Sequence, residues 1–354
     1  MKLKRFFPIL LFLILTLTLS ACTGGNQAFR ATSWPGVTVD QDTVYVAYQQ
    51  QVLALQAKDG SLLWSYPPEP SARQLFYAPP AVSEDLLIAG GYFNDLYALD
   101  PNTGSEQWRF GTAKDRYIGQ PLFVDDLVVV PNADDNLYAI DRNGSLQWKF
   151  TAEDALWSQP VLDSDRLFVA SMDHNLYAVD PTDGGQIWKT DLGGSIVSSP
   201  TFVEETLYVG SMAKEVVSVD ARTGKVLWRF PVTGMIWGRP SYHEGTLYFG
   251  DMAGTIYAVD AEKGTQLWKV EGVGAITGSM TVFEDGIAYV TEENGVQALS
   301  FSGERLWSLL LNGKLYGEPV VAGEYLMVPV TSGDQLLVAV DFSGNQRWAY
   351  SLAK

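Results

Sequence analysis

The chain has 354 residues, a formal net charge of −17, and 47% hydrophobic and 12% aromatic residues, enough apolar material for a large core. Its acidity excludes an electrostatic nucleic-acid binder and works against adsorption to anionic lipid head groups. A single cysteine, Cys22, excludes intrachain disulfides.

At the N-terminus, Lys2, Lys4 and Arg5 precede an apolar run from Ile9 to Leu19 that only Thr16 and Thr18 interrupt. The run is short for a bilayer span and reads as the apolar stretch of a secretory leader. Leu19-Ser20-Ala21-Cys22 resembles a bacterial lipobox. The resemblance implies a leader over residues 1–21, cleavage before Cys22, and acylation of that residue with palmitate-class chains. An ordinary leader with Cys22 near the cut is the alternative. Several acyl chains anchor stably where one does not. Loss of the leader takes the net charge from −17 to −20, since it carries three positive charges and no negative ones. Residues 22–31 are small or polar and read as a tether to a domain over 32–354. Thr23, next to the lipobox cysteine, is compatible with sorting to an outer membrane, where an Asp would favour inner-membrane retention.

From there one pattern recurs eight times, best seen as Leu96-Tyr-Ala-Leu-Asp100, Gly104, Trp108 and as Leu176-Tyr-Ala-Val-Asp180, Gly184, Trp188. The repeated tryptophans are Trp64, Trp108, Trp148, Trp188, Trp228, Trp268, Trp307 and Trp348, at spacings of 44, 40, 40, 40, 40, 39 and 41. Within a repeat the hydrophobic period is two, and turn residues divide it into four short strands. Four antiparallel strands about every 40 residues describe a propeller blade, so the sequence predicts an all-β, eight-bladed β-propeller. Complete repeats from Pro35 to Trp348 require no borrowed strand, although residues 29–34 can add to the last blade. The Asp is expected to bind turn amides, the Gly to adopt positive φ, and the Trp to fill the gap between blades. The repeats at Leu55-Gln56 and Leu299-Ser300 lack the Asp and are expected to be less regular.

The run Tyr-Ala-x-Asp-x-x-x-Gly-x-x-x-Trp resembles the tryptophan-docking motif of pyrroloquinoline-quinone (PQQ)-like propellers. No Trp-Asp dipeptide supports a WD40 reading. That family includes quinoprotein dehydrogenases, sensor ectodomains and BamB-type lipoproteins of outer-membrane β-barrel assembly. A lipobox, a short tether and one eight-bladed propeller are most similar to the BamB type. The dehydrogenases carry vicinal cysteines over the cofactor and an Asp base beside calcium; no residues here match those motifs, so the resemblance implies neither PQQ nor a metal. His174 and His243 both fall in turns and are read as exposed turn residues, not as catalysts. No His or Cys spacing suggests a metal site.

Two sets of loops remain. The first-to-second turns hold 14 of the 41 acids, among them Asp125, Asp126, Glu204 and Glu205. They serve either as solvated turns or as a docking face for a basic partner. The blade-to-blade crossovers align on the Pro that starts each blade, with Met280 replacing it once. Two positions before it the residue is always small, which suggests crowding at the axis. Three positions before it stand Tyr77, Trp157, Trp237 and Tyr316, with Trp34 beside Pro35. These aromatics form either a mouth for a ligand or partner, or a plug of the channel.

The expected function is therefore a non-enzymatic, lipid-anchored interaction scaffold in a bacterial cell envelope, similar to BamB, without cofactor and monomeric by itself. Its partner would be a barrel-assembly protein on the periplasmic face of an outer membrane. In a host with one membrane, the reading becomes a surface-exposed sensor or binding lipoprotein for peptide, cell-wall polymer or sugar. A PQQ-dependent dehydrogenase is the least supported alternative.

Overall fold

The computed structural model describes residues 35–292 and 295–352; Cys22, the leader and tether, and Trp34 lie outside them. The described residues form eight four-stranded antiparallel sheets, each built from four consecutive strands, and no helix. The blades span 36–66, 81–110, 122–151, 161–191, 201–231, 241–271, 281–310 and 320–350. First strands approach one another between blades 1 and 2 and from blade 5 through blade 8, and that of blade 8 approaches that of blade 1. The sheets thus close into an eight-bladed propeller with the first strand of each blade nearest the axis.

Alternation holds only for the outermost strands. In Val226–Pro231 the residues alternate between half-buried and exposed, whereas all four residues of Leu96–Leu99 are buried. A middle strand is covered on both faces because its blade stands between two others, so it reads as a continuous apolar run. Nine apolar clusters make up the core, most of them shared by neighbouring blades. One joins Ile88 and Leu96 of blade 2 to Val128 and Ile140 of blade 3.

The repeat motif explains how blades dock. In every blade the third and fourth strands slip register beside the Trp, as at Ala178/Val179 opposite Trp188. The slip turns the indole toward the next blade. There its Nε1 donates to the carbonyl that follows the motif Asp position. Trp64 bonds Pro101 at 2.9 Å, Trp108 bonds Arg142 at 2.7 Å, and Trp148 bonds Pro181 at 3.0 Å. Trp188, Trp228, Trp268 and Trp307 repeat the contact on Ala221, Ala261, Phe301 and Phe342. Trp348 closes the circle on Ala57. The indole face lies on the motif Gly of that next blade: a Cβ on Gly264 would stand 2.6 Å from Trp228 Cδ2. That glycine has φ of +65°, a conformation in which a side chain is strained.

Blades 1 and 7, which lack the motif Asp, are as regular as the rest, contrary to expectation. Gly60 N still reaches Gln56 O at 2.9 Å, and Gly303 N reaches Ser300 O at 2.9 Å. Asp59 Oδ1 accepts from Ser61 N, and Ser300 Oγ from Glu304 N. The turn is held by backbone geometry, and any short polar side chain nearby can cap it.

Candidate functional site: the crossover mouth

Each crossover enters its blade through four residues with distinct tasks. The fourth before the Pro is an anchor: Phe76, Tyr117, Leu156, Ile196, Ile236, Ile276 and Leu315 are all buried. The second before it is small because backbones meet there. A Cβ on Gly238 would lie 2.4 Å from Gly278 O, and one on Gly278 would lie 3.0 Å from Gly317 C. The crowding expected from the sequence is therefore a ring of near-touching chain around the axis.

At several crossovers the residue just before the Pro reaches along that ring to another blade. Gln120 Nε2 donates to Pro80 O at 3.0 Å and to Thr38 Oγ1 at 3.1 Å, spanning three blades. Arg239 Nε of blade 6 lies 3.8 Å from Glu318 Oε2 of blade 8. Gln159 Nε2 reaches Pro121 O at 3.4 Å. These polar residues, not the aromatics, tie blades together around the ring. The sequence carried the signal: six of the eight residues in that column, Gln120, Gln159, Ser199, Arg239, Ser279 and Glu318, are polar, and Trp34 and Pro79 are the exceptions.

The aromatics three before the Pro are dispersed. Tyr77 packs edge-on against Tyr48 at 6.1 Å and Tyr92 at 5.5 Å, and the Arg116 guanidinium lies 5.2 Å over the Tyr92 ring. Burial, reinforced by the neighbouring tyrosines, pushes the Tyr77 hydroxyl up to about 12. Trp157 and Trp237 are half-buried and two blades apart. The Tyr316 carbonyl accepts a bond from Thr277 Oγ1 at 3.1 Å. The structure thus brings Tyr77 together with two tyrosines that sequence reasoning did not select. Those two, Tyr48 and Tyr92, sit at the hairpin tips beside the crossover.

The hairpin tips hold a second constellation not foreseen. Tyr138 Oη donates to Asp134, Tyr177 Oη to Asp173 at 2.5 Å, and Tyr257 Oη to the buried Asp251 at 3.2 Å. Burial alone would raise the Asp173 carboxyl. Bonds from Tyr177 and from the Asn175 and Glu153 amides outweigh it and hold the group below the usual carboxylate range. Burial and the surrounding Asp154, Asp134, Asp115 and Asp173 raise the Asp135 carboxyl instead. The tyrosine of the repeat is therefore a clamp on the adjacent hairpin.

On the opposite end, the first-to-second turns of blades 4 and 5 border an open groove lined by Asp163, Asp165, Arg166, Glu204, Glu205 and Arg222. Arg166 and Arg222 pair with acids of the groove at 2.6 Å. Of the histidines, His174 is exposed with φ of 76°, as read from the sequence. His243 is not a free turn residue: it ends the strand Ser241–His243 and stacks 4.2 Å from the Phe301 ring. Among the described residues no group of three or more His, Cys, Asp or Glu side chains could hold a metal.

A family model described as outer membrane protein assembly factor BamB matches residues 70–156, 133–235 and 212–354. Among solved structures, BamB from Moraxella catarrhalis superposes with a TM-score of 0.76 at 18% identity, covering 86% of this chain and 96% of that one. The computationally designed Ika8 protein gives 0.74 at 13% identity, covering 90% and 96%. At these identities the likeness is one of fold. A Streptomyces griseus serine/threonine-protein kinase AfsK is 35% identical over 75 residues, 20% of this chain and 9% of that protein. A quinohemoprotein alcohol dehydrogenase from Comamonas testosteroni is 30% identical over 93 residues, 26% and 13% respectively. The chain spans about a tenth of the length of these two relatives.

Proposed function

Because this chain belongs to the family of the outer membrane protein assembly factor BamB, we propose that it is a non-enzymatic scaffold of β-barrel assembly in a bacterial cell envelope, held to its membrane through acyl chains on Cys22. The observation that carries this reading is the division of labour in the repeat. The Asp, Gly and Trp positions are occupied by turn capping and blade docking. The repeat-defining residues are thereby committed to architecture. What varies from blade to blade is the surface of the crossover end, as in a protein that presents a shaped face to another protein. On that end the Tyr48–Tyr77–Tyr92 cluster, Trp157 and Trp237 supply the aromatic anchors that protein interfaces favour.

The test is recovery of the full chain from host envelopes with its partners. Co-isolation of a barrel-assembly protein, weakened by Trp157→Ala with Trp237→Ala, supports the scaffold. Recovery of cell-wall polymer instead supports a binding or sensor lipoprotein. The segment shared with the kinase AfsK gives that second reading its footing. Dye-linked dehydrogenase activity on addition of PQQ and calcium would overturn both.

A further inference from the structure

The sequence holds three Asn-Gly dipeptides: Asn143-Gly144, Asn294-Gly295 and Asn312-Gly313. In such a pair the glycine amide nitrogen can attack the asparagine side-chain carbonyl, because no Cβ shields it. Asn294 lies outside the described residues. The fold treats the other two differently. Asn143-Gly144 belongs to the docking turn of blade 3. Gly144 N donates to Asp141 O at 3.0 Å, and Asn143 N donates to Asp141 Oδ1 at 2.9 Å. A Cβ on Gly144 would stand 3.0 Å from Trp108 Cδ2, so the indole covers this turn. Asn312-Gly313 lies in the crossover from blade 7 to blade 8, outside the repeat motif. Asn312 is exposed, and neither its side chain nor Gly313 N has a hydrogen-bond partner among the described residues. Glycine is obligatory at 313: its φ is +140°, and a Cβ would stand 2.4 Å from Val330 Cγ1.

We infer that Asn312 is a self-modifying site, which converts to isoaspartate and aspartate through a succinimide formed with Gly313, and that the docking turn protects Asn143 from the same reaction. Gly313 N gives its proton to hydroxide and attacks Asn312 Cγ. The N–Cγ bond forms, the Cγ–Nδ2 bond breaks, and the side-chain nitrogen leaves as ammonia with a proton from water. Water then opens the five-membered ring. Opening at the backbone carbonyl routes the chain through Cβ and Cγ and gives isoaspartate; opening at Cγ gives aspartate. No electrons change hands. At Asn143 the Gly144 N–H must first leave the Asp141 carbonyl and the turn must open beneath Trp108, so attack there is slower. The product at 312 has a structural consequence. Isoaspartate adds one backbone carbon just ahead of Lys314, whose N donates to Thr331 O at 2.6 Å and whose O accepts from Thr331 N at 2.8 Å. The chain has no slack there, since a Cβ on Gly333 would lie 2.4 Å from Asn312 O. The crossover must therefore shift against the hairpin tip of blade 8, and it gains a negative charge.

The test ages the full chain in detergent at neutral and mildly alkaline pH and maps it by mass spectrometry. Trypsin separates the three dipeptides into peptides 143–149, 270–305 and 306–314. Digestion at mildly acidic pH in heavy-oxygen water marks any conversion that occurs during the digest. Peptide 306–314 is expected to accumulate isoaspartate and aspartate, faster as pH rises, and an isoaspartyl-specific methyltransferase is expected to label it. Peptide 143–149 is expected to convert about fivefold more slowly or less, the effect of one hydrogen bond that must break before attack. In urea, where the turn is lost, the two rates are expected to converge. Asn312→Ser is expected to leave peptide 306–314 unchanged on ageing. Equal rates at 143 and 312 in the folded chain overturn the proposal. So does a peptide 306–314 that stays unmodified in the folded chain, or one that yields aspartate without isoaspartate, the mark of direct hydrolysis.

Discussion

The Trp348 indole donates to the Ala57 carbonyl at 3.0 Å, across 291 residues of chain. Its ring face also covers Gly60, where a Cβ would stand 2.5 Å from Cε3. The contact that closes the propeller is therefore the same as the seven that join sequence neighbours. Trp348→Phe keeps a ring in place and removes the N–H. The expected loss is about 2–3 kcal/mol, one such bond together with the packing of the ring atoms removed. Trp188→Phe, which removes the bond to Ala221, is expected to cost the same. Urea midpoints at constant slope would measure both. A much larger cost at Trp348 would mean that closure depends on more than this latch.

Two glycines with similar backbones separate conformational strain from packing. Gly264 (φ +65°) faces Trp228, whereas a Cβ on Gly245 (φ +80°) has nothing within 4 Å. Gly245→Ala is expected to cost about 1 kcal/mol, from backbone strain alone. Gly264→Ala must also displace an indole and is expected to cost about 2–4 kcal/mol. Thermal and urea denaturation of the two variants would show the difference; equal costs would count against a packing role for the motif Gly.

The Asp173 carboxyl, held below its ordinary range by Tyr177 and two backbone amides, links stability to pH. A depressed folded value contributes stability above the unfolded value near 4, and that contribution is lost as pH falls through the folded value. Because the site is partly open to solvent, Asp173→Asn is expected to cost only about 1 kcal/mol at pH 7. The two proteins should converge at about pH 2, well below the unfolded value. Unfolding curves at both pH values would check this.

Asp135 has the opposite sign. Its carboxyl is raised by burial and by four neighbouring aspartates, so ionisation disfavours the folded state. Asp135→Asn is expected to stabilise the protein at neutral pH by about 0.3 kcal/mol, a figure already reduced for solvent screening. The gain should shrink in high salt, where such repulsions are screened. Asparagine also tolerates the φ of 71° at this position. Persistence of the full gain at high salt would attribute it to the backbone instead.

Blade number, strand order and the docking contact were legible because the Trp, Gly and Asp each recur at a fixed place and each has one local task. Position-specific variation was read less well. The aromatics three before each Pro stand out by size, yet Gln120 and Arg239, one residue from that Pro, are the ones that bridge blades along the ring. A single repeat does not reveal which of two adjacent columns points inward; strand parity at the crossover decides it. The Tyr–Asp clamps escaped notice for a related reason. Asp173 and Tyr177 are four residues apart across a hairpin tip, and their pairing depends on the turn, not on spacing along one strand. His243 looked like part of a turn because Glu244 and Gly245 follow it, but its stacking partner, Phe301, lies in the next blade.

Eight identical latches make the circle indifferent to where it is cut. A chain opened in another crossover, with blades 8 and 1 joined by a short linker, would present the same eight tryptophans to the same eight carbonyls. The position of the break is then free to serve some other end, such as where a tethering segment emerges relative to the face that meets a partner. Circular permutants of this protein should retain the ring with their termini at a different blade.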